Sequence, residues 1–477
     1  MCGACEAACP TGALQVDAER VNRVYDCSKD MDLCPICYEI CPHSEALLLK
    51  ALNHISNAPI KNEALGYYRK IVFAQAVDPK LREMSRGGAV VTSLLAYGVE
   101  KKFFDSAIVS RAEPENPSRP QASVALVPDD IISAIGSKFF PSSVAKAYGT
   151  AVFGYGKRKI AFVGTPCSVL ALRKMEAWHH KISDGLSITF GLFCFGTFSQ
   201  NTLLRYITEK YGVKPSEIKQ MRLSTNFIVQ TNDKVIRIPI DEVGQHIQAS
   251  CRTCMDFTAE LADISIGGAF PMDGWSTVII RTKAGEDFFN DAVKNGIIKI
   301  SPIEQEPKVF ERVVRAAMQK RTSAIEAAGK IEQAFGYLPI RMLRETELLS
   351  KVKVEEIMTK QIISVLPDMT ISQLVDLIAK KHHMGYPVIS KDNEILGVVT
   401  IEDAWQYIKE ERDKIFVNQI IGQKPAIVYV GNTALDALKK MTEYQTGRVL
   451  VMDNAESQKL LGIITKTDLM HAIIQQS

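Results

Sequence analysis

The sequence predicts an α+β chain with a mixed α/β centre, built from three successive domains. These are a small cysteine-rich domain, a large α/β domain and a C-terminal pair of repeated units. Three observations predict it. Seven of the eleven cysteines crowd into the first 41 residues. From Arg69 onward, short apolar runs alternate with amphipathic segments, as strands interleaved with helices do. Near the C-terminus a motif occurs twice, Gly397-Val-Val-Thr400-Ile-Glu-Asp403 and Gly462-Ile-Ile-Thr465-Lys-Thr-Asp468. At 477 residues the chain has room for about three domains.

Composition narrows the classes. Hydrophobic residues make up 46% and charged residues 23%, ordinary values for a globular protein. A net charge of +3 without any dominant Lys/Arg block leaves no footprint for nucleic acid. The longest apolar runs, such as 191–198, fall short of the roughly 20 residues of a bilayer span, so no membrane span is expected. No basic-then-apolar leader precedes Cys2, which makes the cytoplasm the expected compartment. Disulfides are rare there, and an odd N-terminal cysteine count disfavours them.

The N-terminal cysteines carry the strongest signal. Cys2-Gly-Ala-Cys5-Glu-Ala-Ala-Cys9-Pro10 and Cys34-Pro-Ile-Cys37-Tyr-Glu-Ile-Cys41-Pro42 share one spacing, closed each time by Cys-Pro. Both match the last three cysteines of the bacterial ferredoxin run, in which the Cys before Pro reaches the other cluster. Residues 1–50 are therefore expected to form a ferredoxin-like bicluster domain. On this scheme Cys27, Cys34, Cys37 and Cys9 hold one 4Fe–4S cluster. Cys2, Cys5 and Cys41 hold the other, which is one ligand short. The missing cysteine would stand three places before Cys2, upstream of Met1; a three-cysteine cluster is the alternative. Zinc also binds C-x2-C pairs, but the duplicated pattern with its prolines speaks against it.

In the central domain, about residues 60–340, strands are expected at 71–74, 106–109, 159–163, 187–193, 264–266 and 277–281. Helices are expected at 89–99, 169–177 and 202–211, and a hairpin around 227–238. Ser85-Arg86-Gly87-Gly88 leads into an apolar helix, where glycines and a helix N-terminus suit an anion; an ordinary tight turn accounts for it equally. Gly164-Thr165-Pro166-Cys167 follows a buried strand at a strand-to-helix turn, a common ligand position in open α/β sheets. Cys251 and Cys254 are a ligand pair by spacing. With Cys167 and Cys194 at strand ends, these four suit a third 4Fe–4S cluster, while core placement of Cys167 and Cys194 is the alternative.

Several motifs here occur in order: Asp78-Pro-Lys-Leu-Arg82, Gly87-Gly88-Ala-Val-Val-Thr92, Gly164-Thr-Pro-Cys167, Leu192-Phe-Cys194, Cys251-Arg-Thr-Cys254 and Ala262-Asp-Ile-Ser-Ile-Gly267. Across about residues 65–335 the chain resembles the family of coenzyme F420 hydrogenase/dehydrogenase beta subunits. The resemblance implies FAD beside a 4Fe–4S cluster whose ligands map onto Cys167, Cys194, Cys251 and Cys254. It implies cofactor contacts around Arg86, Gly87, Gly88, Thr92, Lys138, Gly164 and Thr165. It also implies coenzyme F420 or ferredoxin as electron partner and a further redox subunit. Three positions depart from the family pattern: Arg86 replaces an acidic residue, Ser168 a Gln and Gly268 an Asp. They leave the substrate more open than the fold.

The resulting expectation is an iron–sulfur flavoprotein oxidoreductase that moves electrons between reduced coenzyme F420 and one-electron carriers. The alternatives are a ferredoxin-dependent flavin reductase of an organic substrate and a non-catalytic electron-transfer or energy-sensing subunit. No general-base constellation is visible, so no catalytic side chain is assigned.

Each repeated motif follows an amphipathic helix (Ile371, Leu374, Val375 and Ile378; Ala434, Ala437, Leu438 and Met441) and a short strand. Residues 352–477 resemble a tandem CBS (Bateman) module with units at 352–411 and 414–477. The resemblance implies an adenine nucleotide at Thr400, Asp403, Thr465 and Asp468, and raises a homodimer through the pair. The simpler alternative is that Asp403 and Asp468 cap the helices that follow.

Overall fold

The computed structural model describes all residues except 18–19, 28–33, 45, 56, 63, 86, 114–118, 224, 336–348, 350–351, 382–384, 393, 408–410, 422–424, 445, 455–458, 466–467, 470–471 and 473–477. Two compact units emerge, one of residues 1–25 and 36–343, the other of 26–35 and 344–477.

The first unit is built on an eight-stranded sheet. The described strands run β1 (Leu14–Val16), β2 (Val21–Arg23), β3 (Ile60–Asn62), β4 (Gly66–Tyr68), β5 (Lys70–Ala76), β6 (Ser106–Ala112), β7 (Pro120–Ala125), β8 (Ile160–Gly164), β9 (Leu186–Leu192), β10 (Gln220–Leu223), β11 (Phe227–Gln230), β12 (Val235–Ile238), β13 (Ile264–Gly268), β14 (Ser276–Ile280) and β15 (Ile298–Pro302). The large sheet has the order β15-β5-β14-β13-β9-β8-β6-β7. Its four central strands β13, β9, β8 and β6 are mutually parallel, and the flanking pairs are antiparallel. Such central strands read as near-continuous apolar runs because both faces are covered. Alternation sorts their side chains: Ile108, Ile160 and Phe162 enter the core on one face, and Ala107, Val109 and Ala161 that on the other.

The described helices used below are α1 (Ala4–Ala7), α2 (Ile36–Glu39), α3 (Val90–Glu100), α4 (Val144–Phe153), α5 (Pro166–Ala177), α6 (Gln200–Tyr211), α7 (Ala249–Arg252), α8 (Lys283–Lys294) and α9 (Pro307–Phe335). Helices α4 and α5 cover one sheet face, and α3 and α8 the other. Their ends follow local chemistry. The Ser199 hydroxyl accepts from Thr202 N to start α6, and Gly212 at φ 66 ends it. Thr282 starts α8 by accepting from Gly285 N.

Ala4, Ala8, Ile40, Leu48, Ala51 and Ile55 join the same core as Ala145, Tyr148, Ala151 and Leu170 of α4 and α5. The sequence-defined segments 1–50 and 60–340 thus share one core, apart from residues 26–35. The six strands expected in the central domain are present, and the hairpin is extended by β10 to a three-stranded sheet. Strands β7 and β15 were not foreseen. Both are sheet edges with much exposed surface, so neither carries an apolar run, and β7 opens with a proline that only an edge tolerates.

The second unit repeats itself. Helix α10 (Ile371–Lys381) precedes the antiparallel pair β16 (Gly385–Ile389) and β17 (Ile395–Thr400), which leads into α11 (Ile401–Trp405). Strand β18 (Ile427–Tyr429) precedes α12 (Ala434–Glu443), β19 (Arg448–Met452) and β20 (Leu460–Thr465). Val365 bridges β16 in parallel as β18 pairs β19, so the two halves share one topology. Leu374 and Ile378 of α10 and Ala437 and Met441 of α12 are buried, as their helical spacing predicts.

Candidate functional site

The C-terminal ends of the parallel strands lie along one edge of the large sheet. Cys167 sits in the first turn of α5, just past β8, and Cys194 lies just past β9. Gly268 ends β13 and pairs with Ser276, the first residue of β14. The glycine loop after β5 comes to the same edge. A Cβ built on Gly88 would stand 2.4 Å from Ser276 Oγ and 2.8 Å from the Ala74 carbonyl oxygen. Open α/β sheets bind ligands at such an edge.

Cys194 is the centre of the thiol group. Its amide donates to the Phe257 carbonyl at 2.9 Å, tying the β9 terminus to the segment just past Cys254. Burial pushes the Cys194 thiol up to about 12; the Lys320 ammonium opposes this, and Cys167, Cys251 and Cys254 each add to the rise. Those influences place Cys167, Cys251 and Cys254 around Cys194, within the range of its charge. Cys251 opens towards the same place. Thr197 N lies 3.5 Å from its sulfur, and a Cβ on Gly196 would come within 3.3 Å of Cys251 Cβ, a crowded approach that glycine relieves. Phe193, Phe195 and Phe257 form an aromatic group beside Cys194, with centroids 4.6 Å apart for Phe195 and Phe257 and 5.3 Å for Phe193 and Phe257.

The N-terminal cysteines form a second group. The Ala145 amide donates to the Cys2 carbonyl at 2.9 Å, fixing α1 on α4. Lys174 of α5, wholly buried, donates to the carbonyls of Cys41 and Ser44, both at 2.7 Å, and meets Ser44 Oγ at 3.1 Å. Burial pushes Cys2 up to about 12, and the nearby thiols of Cys167, Cys5 and Cys41 add to it. Burial likewise lifts Cys5 to about 11, with Cys41 and Cys37 contributing. Cys2 therefore neighbours both its own group and Cys167. At Cys9 burial acts upward, but hydrogen bonds from the Thr11 hydroxyl and neighbouring amides prevail and hold the thiol below its ordinary value. Cys27 and Cys34 fall in the other unit.

Among the described residues, no three Cys, His, Asp or Glu side chains converge on a point that would hold a single ion. A cubane takes each thiolate at a separate iron, and an all-thiol donor set at one sheet edge fits that chemistry.

The glycine loop divides its labour. Gly88 is required by the close pass of Ala74 and Ser276, and its carbonyl accepts from Ala76 N at 2.7 Å. Gly87 has nothing within 4 Å of its missing Cβ, so it faces open space. Ala89 follows in the left-handed region at φ 52 and begins α3 without any side-chain cap. Strain at a non-glycine residue and uncapped amides together mark a position prepared for an acceptor. Thr92 is half-buried on the first turn, and Arg86 lies outside the described residues.

Lys138 Nζ is ringed by the carbonyls of Ala134, Ile135 and Gly136, and burial pulls its pKa down to about 8. The neighbouring Phe139 carbonyl accepts from Phe198 N at 2.9 Å, next to the Thr197 that meets Cys251. Gly164 and Thr165 form the β8–α5 turn. Thr165 Oγ1 stands 3.3 Å from both Cys167 Sγ and Ser168 Oγ. A polar cleft of about 520 Å³ lies elsewhere, beside β7, among Arg111, Arg119, Gln121 and Lys146; it contains none of the expected site residues.

Sequence reasoning missed two supports. Lys320 of α9 is 6% exposed and donates to the carbonyls of Cys194 and Asp256, the latter at 2.9 Å. Next to it, Arg321 pairs with the buried Glu260 at 3.5 Å. On a polar connector helix these look like solvated charges, and only the fold turns them inward. The other support is Asp263, which accepts from Arg173, Thr189 and Thr282 and meets His54 at 3.2 Å.

In the second unit, Thr400 N and Oγ1 both donate to Asp403 Oδ2 at 2.7 Å, and Thr465 and Asp468 repeat the arrangement. Thr433 and Asp436 make the same box at the start of α12, at 2.9 and 2.8 Å. Helix capping thus accounts for the local geometry at Thr400 and Thr433, where the Asp403 and Asp436 amides donate back to the threonine hydroxyls.

Comparison with known proteins follows these boundaries. Residues 71–148 and 157–306 match the N-terminal and C-terminal parts of the coenzyme F420 hydrogenase/dehydrogenase beta subunit, and 354–404 and 417–475 match the CBS domain. The beta subunit of the coenzyme F420 hydrogenase of Methanothermobacter thermautotrophicus is 32% identical over 264 residues, covering 54% of this chain and 94% of that protein. One of the subunits of the F420H2 dehydrogenase of Methanosarcina mazei is 28% identical, covering 70% of this chain and 93% of that protein. Among solved structures, a chain of the F420-reducing NiFe hydrogenase complex from Methanosarcina barkeri superposes with a TM-score of 0.55 at 27% identity. It covers 59% of this chain and 98% of its own length.

Proposed function

Because the chain belongs to the family of coenzyme F420 hydrogenase/dehydrogenase beta subunits, which are components of oxidoreductases, we propose that it exchanges electrons between reduced coenzyme F420 and one-electron carriers through FAD and 4Fe–4S clusters. The observation that carries this reading is the gathering of Cys167, Cys194, Cys251 and Cys254 at the sheet edge shared with the Gly87–Gly88 loop. FAD, when bound, supplies the chemistry of taking a hydride as an electron pair and releasing electrons singly.

The chain's own residues do the rest. Cys167, Cys194, Cys251 and Cys254 would hold one cluster, with the buried Phe257 ring beside it. The first amides of α3, open beyond Gly87, would bind the cofactor's pyrophosphate with the helix dipole behind them, and Thr92 and Lys138 would add a hydroxyl and a cation. Gly164 and Thr165 would border the flavin at the β8 terminus. Cys2, Cys5 and Cys41 would hold a second cluster close to Cys167, and the ferredoxin spacing assigns Cys27, Cys34, Cys37 and Cys9 to a third. A partner redox subunit or ferredoxin would exchange electrons there.

Gly268 favours a second reading. It stands where an acidic residue is expected, and a Cβ there would meet nothing within 4 Å; the absence of that side chain favours reduction of an organic substrate with ferredoxin as donor. One experiment separates the two. Anaerobically purified protein is expected to carry FAD and about twelve irons, about four per cube, and to bleach the visible band of oxidised coenzyme F420 when given an artificial one-electron donor. Full cofactors without bleaching would transfer the assignment to the ferredoxin-driven reading, and absence of FAD would leave a non-catalytic electron-transfer or energy-sensing subunit.

The C-terminal pair extends the proposal to adenine nucleotide sensing by Thr400, Asp403, Thr465 and Asp468. Asp468→Ala is expected to weaken nucleotide binding at least about tenfold in calorimetry. Equal affinity of the variant and the parent would remove Asp468 from the site.

A further inference from the structure

We propose that Lys320 sets the reduction potential of the cluster held by Cys167, Cys194, Cys251 and Cys254, its buried positive charge making that cluster easier to reduce. This rests on the four-cysteine reading above. Lys320 lies in the middle of α9, past the residues 157–306 that match the family, and enters the site from outside the sheet. Its ammonium donates to the Cys194 carbonyl and, at 2.9 Å, to the Asp256 carbonyl, so it spans the two chain segments that supply three of the four thiols.

These named acceptors are neutral carbonyls, which leave the ammonium's charge intact. The two acids nearby also have partners of their own. Glu260 faces Arg321 at 3.5 Å, and the Asp256 carboxylate oxygens accept from Glu260 N at 3.1 and 3.3 Å. The cation is 6% exposed and hydrogen-bonded to the backbone of Cys194 itself, so little water lies between it and that thiol. Reduction of a cluster adds one negative charge. A cation held in the protein interior favours the reduced state far more than one in water would.

The proposal separates charge from mere stapling of the loop. Lys320→Gln keeps amide donors for the two carbonyls and removes the charge, whereas Lys320→Arg keeps both. Potentials are read by EPR-monitored redox titration of the anaerobic full-length protein, following the component that Cys194→Ser lacks. Both variants are expected to retain parental iron. Lys320→Gln should disfavour reduction at least tenfold, a shift of 59 mV for a one-electron couple, and Lys320→Arg should match the parent. Glu260→Gln, which removes a negative charge from the same side, should move the potential upward and tests the idea even if Lys320→Gln assembles no cluster. An unmoved potential in Lys320→Gln with full iron, equal shifts in the Gln and Arg variants, or no upward shift in Glu260→Gln would overturn the role of Lys320. If instead Cys194→Ser loses no iron, the four-cysteine reading itself falls, and this assignment with it.

Discussion

Cys194→Ser is expected to remove about four irons per chain and to abolish electron exchange with coenzyme F420. The loss should exceed the roughly 10–100-fold that removal of an outer-shell partner costs a metal site. The fold should survive, because the backbone at 194 is secured independently of its sulfur. Its amide binds Phe257 and its carbonyl accepts from Lys320. The hydroxyl is smaller and a far weaker ligand for iron, so the change is confined to ligation. Iron analysis beside far-ultraviolet circular dichroism checks this. Parental iron with a parental spectrum would remove Cys194 from the ligand set, and with it the four-cysteine cluster.

Asp263→Asn should have the largest effect on stability, about 3–5 kcal/mol, the usual cost of breaking a buried ion pair from one side. Arg173 is 3% exposed and donates to Asp263 Oδ2 at 2.8 Å, while the same oxygen accepts from Thr189 N and Oγ1. Oδ1 takes Thr282 Oγ1 at 2.7 Å and faces His54 from the N-terminal segment. One carboxylate thus joins β9, the start of β13, helix α5 and the N-terminal segment, the elements that carry Cys194 and Cys167. Asparagine would strip the buried guanidinium of its buried counter-charge and leave it only the half-buried Glu176, at 2.7 Å. Burial acts to raise the carboxyl of Asp263, but Arg173, followed by His54 and Thr282, prevails and holds it far below the usual carboxylate range. A carboxyl with a depressed folded pKa stabilises the fold fully above its unfolded value, near 4, and loses that contribution as pH falls through the folded value. The parent should therefore lose stability below about pH 4 more steeply than Asp263→Asn does. Urea unfolding at pH 7 and pH 3 measures both effects, and equal stability of the two proteins at pH 7 would refute the role.

How much of the site was legible in the sequence depended on the range of the interaction. The ligand pairs Cys2/Cys5, Cys34/Cys37 and Cys251/Cys254 are readable because two thiols on one turn are a local property. So is the Thr-x-x-Asp motif, and the structure shows why its meaning was ambiguous: the box at Thr433 and Asp436, in no ligand motif, has the same geometry as those at Thr400 and Thr465. The double glycine was legible as a loop, but not its division into a glycine that lets a strand pass and one that faces open space. Lys320 and Arg321 carry no such signal, because amphipathic spacing alone does not say what a helix packs against.

By itself the sequence determined the parts: the strands and helices of the α/β domain, the duplicated cysteine runs, the twofold C-terminal repeat and the family to which the central region belongs. Hydrophobic periodicity, turn chemistry and ligand spacing act over a few residues and are written along the chain. The tertiary structure decided the assembly, placing Cys2 beside Cys167, Lys174 under the Cys41 loop and Lys320 against the Cys194 carbonyl. Those pairings join residues more than a hundred positions apart, and only the packing of both sheet faces, which no local pattern encodes, brings them within reach of a hydrogen bond or a charge.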